Sequence, residues 1–207
     1  MEGERLAPEG QVIAGVDEAG RGSLAGPVVA AAVVLTRTAV LPPVDDSKRM
    51  TARQRRVAAD AIRRSCMWCI ARAEPEEIDR MNILRASLLA MQRAVMGLPT
   101  SPSRVLVDGI HAPALGCETV TVVKGDQLHP CISAASIVAK VYRDEELTRL
   151  ACKFSQYGFE RNKGYPTPEH LAAIEVHGPS PVHRRSFGPV RRCERRMDKL
   201  VEERAHA

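Results

Sequence analysis

No apolar run in these 207 residues approaches the roughly 20 residues needed to span a bilayer, so no membrane-spanning helix is expected. The first residues, Met1-Glu-Gly-Glu-Arg-Leu-Ala-Pro8, are charged and lack the apolar core of a signal peptide. The expected location is the cytoplasm, and the cysteines Cys66, Cys69, Cys117, Cys131, Cys152 and Cys193 are expected as reduced thiols. Cys66-Met-Trp-Cys69 forms a C-x-x-C pair, but no second pair stands at zinc-site spacing, and the segment reads as a strand from Cys66 to Ile70. There is no internal repeat, no low-complexity segment and no linker long enough to force two independent domains. What is present, 44% hydrophobic residues in 207, suffices for one well-buried domain.

The net charge of +5 is local. Residues 183–199 carry seven Lys/Arg against Glu194 and Asp198, which equals the excess of the whole chain. Such a segment on an otherwise balanced protein suits a polyanion and predicts a salt-sensitive affinity, although a solvated helix end has the same composition.

Gln11–Asp17 and Val28–Thr36 read as strands joined by a glycine-rich turn, the second so apolar that both of its faces should be covered. Arg104–Asp108 and Thr119–Val123 read as further strands. Thr51-Ala-Arg-Gln54 has capping-box form and opens a helix to about Arg64, with Val57, Ala61 and Ile62 facing inward. The three- and four-residue steps of Ile78, Met81, Leu84, Leu88, Met91 and Val95 predict one long helix over Glu76–Met96, ended by Gly97 and Pro99. Ile132–Phe154 reads as a third helix. Another opens at Thr167-Pro168 and closes at Gly178-Pro179, and a last one covers Arg191–Glu203. Interleaved strands and helices give an α/β class with a mixed sheet and a helical C-terminal part.

Acids then fall at strand ends: Asp17-Glu18 after an apolar run, Asp108, and Asp126 just past the Thr119–Val123 strand. Adjacent carboxylates sit badly on a buried strand unless a cation accompanies them, and magnesium prefers oxygen ligands. Two divalent ions about 4 Å apart neutralise several acids and serve phosphodiester hydrolysis. Asp108-Gly109 and Gly125-Asp126 also fit ordinary turns, whereas Asp17-Glu18 fits a turn less well. The loop Gly20-Arg21-Gly22 offers backbone N–H groups and a guanidinium, which suit a sugar-phosphate backbone.

Together the motifs resemble those of ribonuclease HII, the bacterial type 2 ribonuclease H. The matching stretches are Gly15-Val-Asp-Glu-Ala-Gly-Arg-Gly22, Asp46-Ser-Lys48, Val107-Asp-Gly109, Lys124-Gly-Asp126, Ser133-Ala-Ala-Ser-Ile-Val-Ala-Lys140 through Arg143-Asp144, Lys163-Gly-Tyr165 and Gly178-Pro-Ser-Pro-Val-His-Arg-Arg-Ser-Phe187. They are collinear from about residue 11 to 190, and the ordered set is far more specific than any one of them. The resemblance implies a ribonuclease H-like fold, a mixed central sheet flanked by helices. It implies a catalytic domain over 11–190, followed by a basic helical tail over 191–207.

The implied activity is endonucleolytic hydrolysis of the RNA strand of RNA–DNA hybrids, with incision 5′ to ribonucleotides embedded in duplex DNA, as in ribonucleotide excision repair. By the match, Asp17, Glu18, Asp108 and Asp126 would be catalytic and hold divalent metal, Mg²⁺ or Mn²⁺. One ion, on Asp17 with Asp126 or Glu18, would activate water. The other, with Asp108, would stabilise the departing 3′-oxygen, leaving 3′-hydroxyl and 5′-phosphate ends. Gly20, Arg21 and Gly22 would read the 2′-hydroxyl, the group that separates RNA from DNA. Tyr165 would pack on the next sugar and exclude a hydroxyl there, while Lys48, Ser133, Ser136 and Lys140 would lie near the backbone.

The chain departs from the common family pattern at Asn162, where histidine is frequent, and at Pro166, which biases Tyr165 away from the α region. Asp144 reads as an ion-pair member on a helix face or as a support for the acids. A monomer is expected, with nucleic acid as partner. Two rivals remain at this point. One is a strand-transferring or exonucleolytic nuclease of related fold, in which Gly20-Arg-Gly22 with Tyr165 has no place. The other is a non-catalytic RNA–DNA hybrid binding protein, against which the four retained acids argue. Leu200 and Val201 lie in a charged helix, and no aromatic clamp-binding peptide follows them.

Overall fold

A computed structural model describes residues 11–36 and 50–205, without the side chains of 200–202, 204 and 205. Lys48 and its neighbours Asp46 and Ser47 lie outside the described residues. Five strands, β1 (Ile13–Ala19), β2 (Val28–Val34), β3 (Met67–Ala73), β4 (Arg104–Asp108) and β5 (Glu118–Val122), form one sheet in the order β3-β2-β1-β4-β5. β1, β2 and β3 pair antiparallel, and β4 and β5 run parallel to β1, so the sheet is mixed as expected.

The apolar β2 is buried along its whole length because helices cover both faces. Val28, Ala30, Ala32 and Val34 point to one side, against α3 (Ile83–Met96). Ala31 and Val33 point to the other, against α1 (Ala52–Ser65) and α5 (Pro130–Lys153). α5 also lies on β1. A Cβ on Gly15 would stand 2.2 Å from the carbonyl carbon of Cys131, so the strand and the first turn of the helix touch backbone to backbone.

Several elements differ from the sequence expectation. β1 runs to Ala19, which places Asp17 and Glu18 inside the ladder opposite Ala31 and Ala30. The Thr51–Gln54 capping box forms, but α1 buries Ala58, Ala59 and Ile62, while Val57 is exposed. The helix expected over Glu76–Met96 is two, α2 (Pro75–Met81) and α3. Asn82 adopts φ 75°, which ends α2, and its side chain accepts the Arg85 N–H at 3.1 Å as the N-cap of α3. Asp126 lies in the first turn of a short helix, α4 (Gly125–Leu128). The last helix starts three residues early, at Gly188. Cys69 lies on the edge strand β3, and the cysteines are free thiols. Among the described residues no helix is long and apolar enough to cross a membrane.

The C-terminal part has its own core. Leu147 and Ala151 of α5 meet Tyr157, Phe159 of the short helix α6 (Phe159–Asn162), Ile174 of α7 (Pro168–His177), and Val190 and Cys193 of α8 (Gly188–Ala205). Buried within it are His170 and His183, with Nε2 atoms 3.0 Å apart. The ends of this pair fix its protons. His170 Nδ1 faces the Tyr165 carbonyl at 2.9 Å and must donate, so its Nε2 accepts. His183 Nε2 then donates, and its Nδ1 receives the Ser180 N–H at 2.9 Å. Both rings are neutral, and a proton added to either would face another donor.

Two measurements test the strand–helix contact and the C-terminal core. Gly15→Ala drives a methyl group into the backbone of α5, and the unfolding free energy should fall by about 3 kcal/mol in a denaturant titration. Burial, then His170, pulls His183 from 6.5 down to about 3. Between those values the unfolded chain binds a proton that the folded chain refuses, so this stability is complete above pH 6.5 and is lost as pH falls toward 3. Unfolding free energies at pH 7 and 5 should drop more in the wild type than in His183→Asn, by up to about 1.4 kcal/mol per pH unit.

Candidate active site

The end of β1, the turn that follows it and α5 enclose a cleft of about 530 Å³. Asp17, Glu18, Asp108 and Asp126 line it together with Gly20, Arg21, Gly22, Ser136, Lys140 and Tyr165. Of the residues expected from sequence, Ser133 is buried one turn before Ser136 on α5 and does not line the cleft. Arg55 of α1 lines it and was missed, since an arginine on a helix rich in arginine carries no distinguishing signal.

Each acid is placed by a different element. β1 carries Asp17, which is 7% exposed. The Glu18 N–H donates to Asp17 Oδ1 at 2.7 Å, and Ser136 of α5 also bonds to the carboxylate. Glu18 pairs with Arg21 Nη1 at 3.2 Å. Asp108 ends β4, and its Oδ1 accepts the Gly125 N–H at 2.7 Å, which ties it to the start of the helix bearing Asp126. Burial, followed by the charges of Glu18 and Asp108, pushes the Asp17 carboxyl well above its usual range against the pull of Ser136. Burial raises Glu18 as well, opposed by Arg21.

The donor set fits a hard divalent cation. It is all oxygen, and its buried members repel one another, a cost that bound positive charge removes. As they stand, no three acidic, histidine or cysteine side chains among the described residues are drawn together closely enough to hold an ion. Ser136, Arg21 and the Gly125 amide occupy carboxylate oxygens instead.

The turn after β1 is stapled from below. Gly20 has φ 95°, and a Cβ there would stand 1.9 Å from Arg143 Nε. Arg143 lies beneath it and donates to the carbonyls of Pro27 (3.3 Å), Ala25 (3.2 Å) and Lys163 (2.9 Å). Arg184 donates to the carbonyls of Gly26 (2.9 Å) and Arg21 (3.0 Å). Both guanidinium groups are fully buried, and burial lowers both from the usual arginine value. Arg143 also stands 5.8 Å from the Tyr165 ring centroid, in cation–π range. Sequence reading placed Arg143 and Arg184 within matching motifs but gave them no task. A lone arginine in a polar stretch reads as solvated, and only the fold shows the carbonyls that converge on it.

Tyr165 sits on a strap in which Lys163 takes φ 51° and Gly164 φ 79°. Tyr165 is 38% exposed and lines the cleft. Lys140 of α5 bonds to Asp144 at 2.7 Å, so Asp144 is the helix-face ion-pair member.

The family described as Ribonuclease HII matches residues 14–190. The chain is 57% identical to a ribonuclease HII of Nitrosomonas europaea over 185 residues, 88% of this chain and 85% of that one. It is 54% identical to a ribonuclease HII of Bordetella pertussis over 187 residues, 90% of this chain and 93% of that one. Its fold is similar to the crystal structure of ribonuclease H2 from Pyrococcus horikoshii, with TM-score 0.75 and 28% identity over 91% of this chain and 100% of that one. The mixed sheet is that of a ribonuclease H-like fold. By sequence over most of its length and by fold, the chain belongs to the ribonuclease HII family, whose members are metal-dependent endoribonucleases.

Proposed function

We propose that this ribonuclease cleaves the RNA strand of RNA–DNA hybrids and incises duplex DNA on the 5′ side of single embedded ribonucleotides. The supporting observation is one cleft lined by four carboxylates, the Gly20–Gly22 turn and the Tyr165 ring. Asp17, Glu18, Asp108 and Asp126 would hold Mg²⁺ or Mn²⁺. Bound divalent cations supply the charge that acidifies an attacking water and offsets the departing oxygen.

The chain's own residues do the rest. Backbone N–H groups of the turn approach the 2′-hydroxyl without an intervening Cβ. Arg21, half exposed and paired with Glu18, would offer its guanidinium to the sugar-phosphate. Lys140 and Arg55 flank the cleft with positive charge, and Ser136 orients Asp17. Tyr165 packs on the next sugar and leaves no room for a hydroxyl. Water adds to phosphorus, the bond to the preceding 3′-oxygen breaks, and that oxygen takes the proton. A 3′-hydroxyl and a 5′-phosphate result.

The catalytic unit in this reading is 11–190. Residues 191–207 form a basic tail whose exposed Arg191, Arg192, Arg195, Arg196 and Lys199 suit phosphate contacts, and Val190 and Cys193 dock its helix on the C-terminal core. Lys48 stays in the reading as a backbone-proximal group, whereas Ser133, buried and off the cleft lining, leaves it. The protein acts as a monomer in the cytoplasm.

Asp17→Asn should abolish nicking of a labelled duplex holding one ribonucleotide, while binding to the hybrid in a gel-shift assay is kept. Retained Mg²⁺- or Mn²⁺-dependent nicking would reject the assignment. Tyr165→Ala should lose about tenfold more kcat/KM on that duplex than on a long hybrid, the scale of one stacked ring. An equal loss on both substrates would remove Tyr165 from the junction.

A further inference from the structure

The His170–His183 pair is absent from the cleft lining and has no part in the chemistry above, yet it joins two pieces of the cleft wall from behind. At one end, His170 Nδ1 donates to the carbonyl of Tyr165 at 2.9 Å, which also receives the Thr167 N–H at 2.8 Å. At the other, His183 lies on a segment paired with the chain that leaves the Gly20–Gly22 turn. Ala25 bridges to His183, the Gly26 N–H donates to Val182 O at 2.9 Å, and the Arg184 N–H donates to Leu24 O at 2.8 Å. The two rings meet Nε2 to Nε2 at 3.0 Å, with His183 edge-on to Tyr157 and His170 edge-on to Phe159. The Tyr165 strap is therefore linked through the two rings to His183, whose backbone segment pairs with residues 24–26 after the turn, and the polarity of the ring pair is set by Tyr165 O at one end and Ser180 N–H at the other.

We infer that His170 and His183 are positioning residues for substrate choice, holding Tyr165 at a fixed distance from the Gly20–Gly22 turn; this rests on the proposed role of Tyr165 at the RNA–DNA junction. A reader working by exclusion depends on separation, because a ring that retreats admits the hydroxyl it is meant to reject. Cleavage of an all-RNA strand makes no such demand. The pair thus affects the ratio of the two activities and leaves hydrolysis itself alone.

The test compares kcat and KM for a duplex with one ribonucleotide and for a long hybrid, in the wild type, Tyr165→Ala, His170→Phe, His170→Asn and His183→Phe. His170→Phe and His183→Phe should lower the ratio of kcat/KM, single ribonucleotide over hybrid, by about three- to tenfold, the worth of one hydrogen bond. Their kcat on the hybrid should stay within about twofold of wild type. His170→Asn keeps a donor near the Nδ1 position and should recover most of the ratio. A ratio that moves in Tyr165→Ala but stays at the wild-type value in both phenylalanine variants overturns the inference and leaves the Tyr165 reading intact. A ratio unmoved in Tyr165→Ala rejects that reading itself. Nitrogen-15 spectra of the wild-type imidazoles give a check independent of folding in the variants. They should show His170 protonated on Nδ1 and His183 on Nε2, and the opposite tautomers would overturn the inference.

Discussion

Gly15 of β1 and the backbone of Cys131 in α5 lie so close that no side chain fits between them, and the placement of the site follows from that contact. With the helix seated directly on the strand, Ser136 comes within bonding reach of Asp17 two residues further along β1. The same seating removes water from Asp17, which is why burial is the first cause of its raised carboxyl. A residue larger than glycine at position 15 would lift α5, open the cleft and return Asp17 to solvent. The chain therefore spends a strand position, where glycine is otherwise unfavourable, on proximity.

A second layer of the structure is built from buried cations that pair with no carboxylate among the described residues. Arg143 and Arg184 are satisfied by main-chain carbonyls of the 20–27 turn and, for Arg143, by Lys163 O. Among the described residues Arg184 Nη2 has no hydrogen-bond partner. Burying such groups is costly. In return, one planar guanidinium takes several carbonyls in a fixed arrangement, which a flexible ammonium does not match. The left-handed Lys163 is held in the same way, its carbonyl shared by Arg143 and Ser23, so backbone strain at the strap is borne by the core beneath it.

Much of this was legible in the chain. The alternating elements, the all-apolar β2 and the acids at strand ends follow from local pattern, and family resemblance added the turn and the tyrosine. What escaped reading was either sub-periodic or long-range. A helical stripe continues through Asn82 without a break in spacing, so only the cap chemistry of that one residue marks the division between α2 and α3. Val57 sits one position from the true inward face of α1, an error of about 100° that a short apolar set does not resolve. The tasks of Arg143, Arg184, His170 and His183 depend on partners more than ten residues away in sequence, and no local signal reports those. Ser133 and Ser136 look alike in sequence, and the rotation of α5 alone decides which of them meets the cleft.

In the proposed junction role of Tyr165, selectivity must come from rigidity more than from affinity. Attraction to a 2′-hydroxyl tolerates small displacements, because a hydrogen bond weakens gradually over several tenths of an ångström. Exclusion of a hydroxyl by an aromatic ring does not, since repulsion rises steeply once atoms overlap and vanishes once they separate. A wall built for exclusion therefore needs support on its far side, with each polar group of the strap bound. The Tyr165 strap has that support: Lys163 O, Gly164 O and Tyr165 O each accept hydrogen bonds from a separate part of the protein. Tyr165 itself is 38% exposed and lines the cleft.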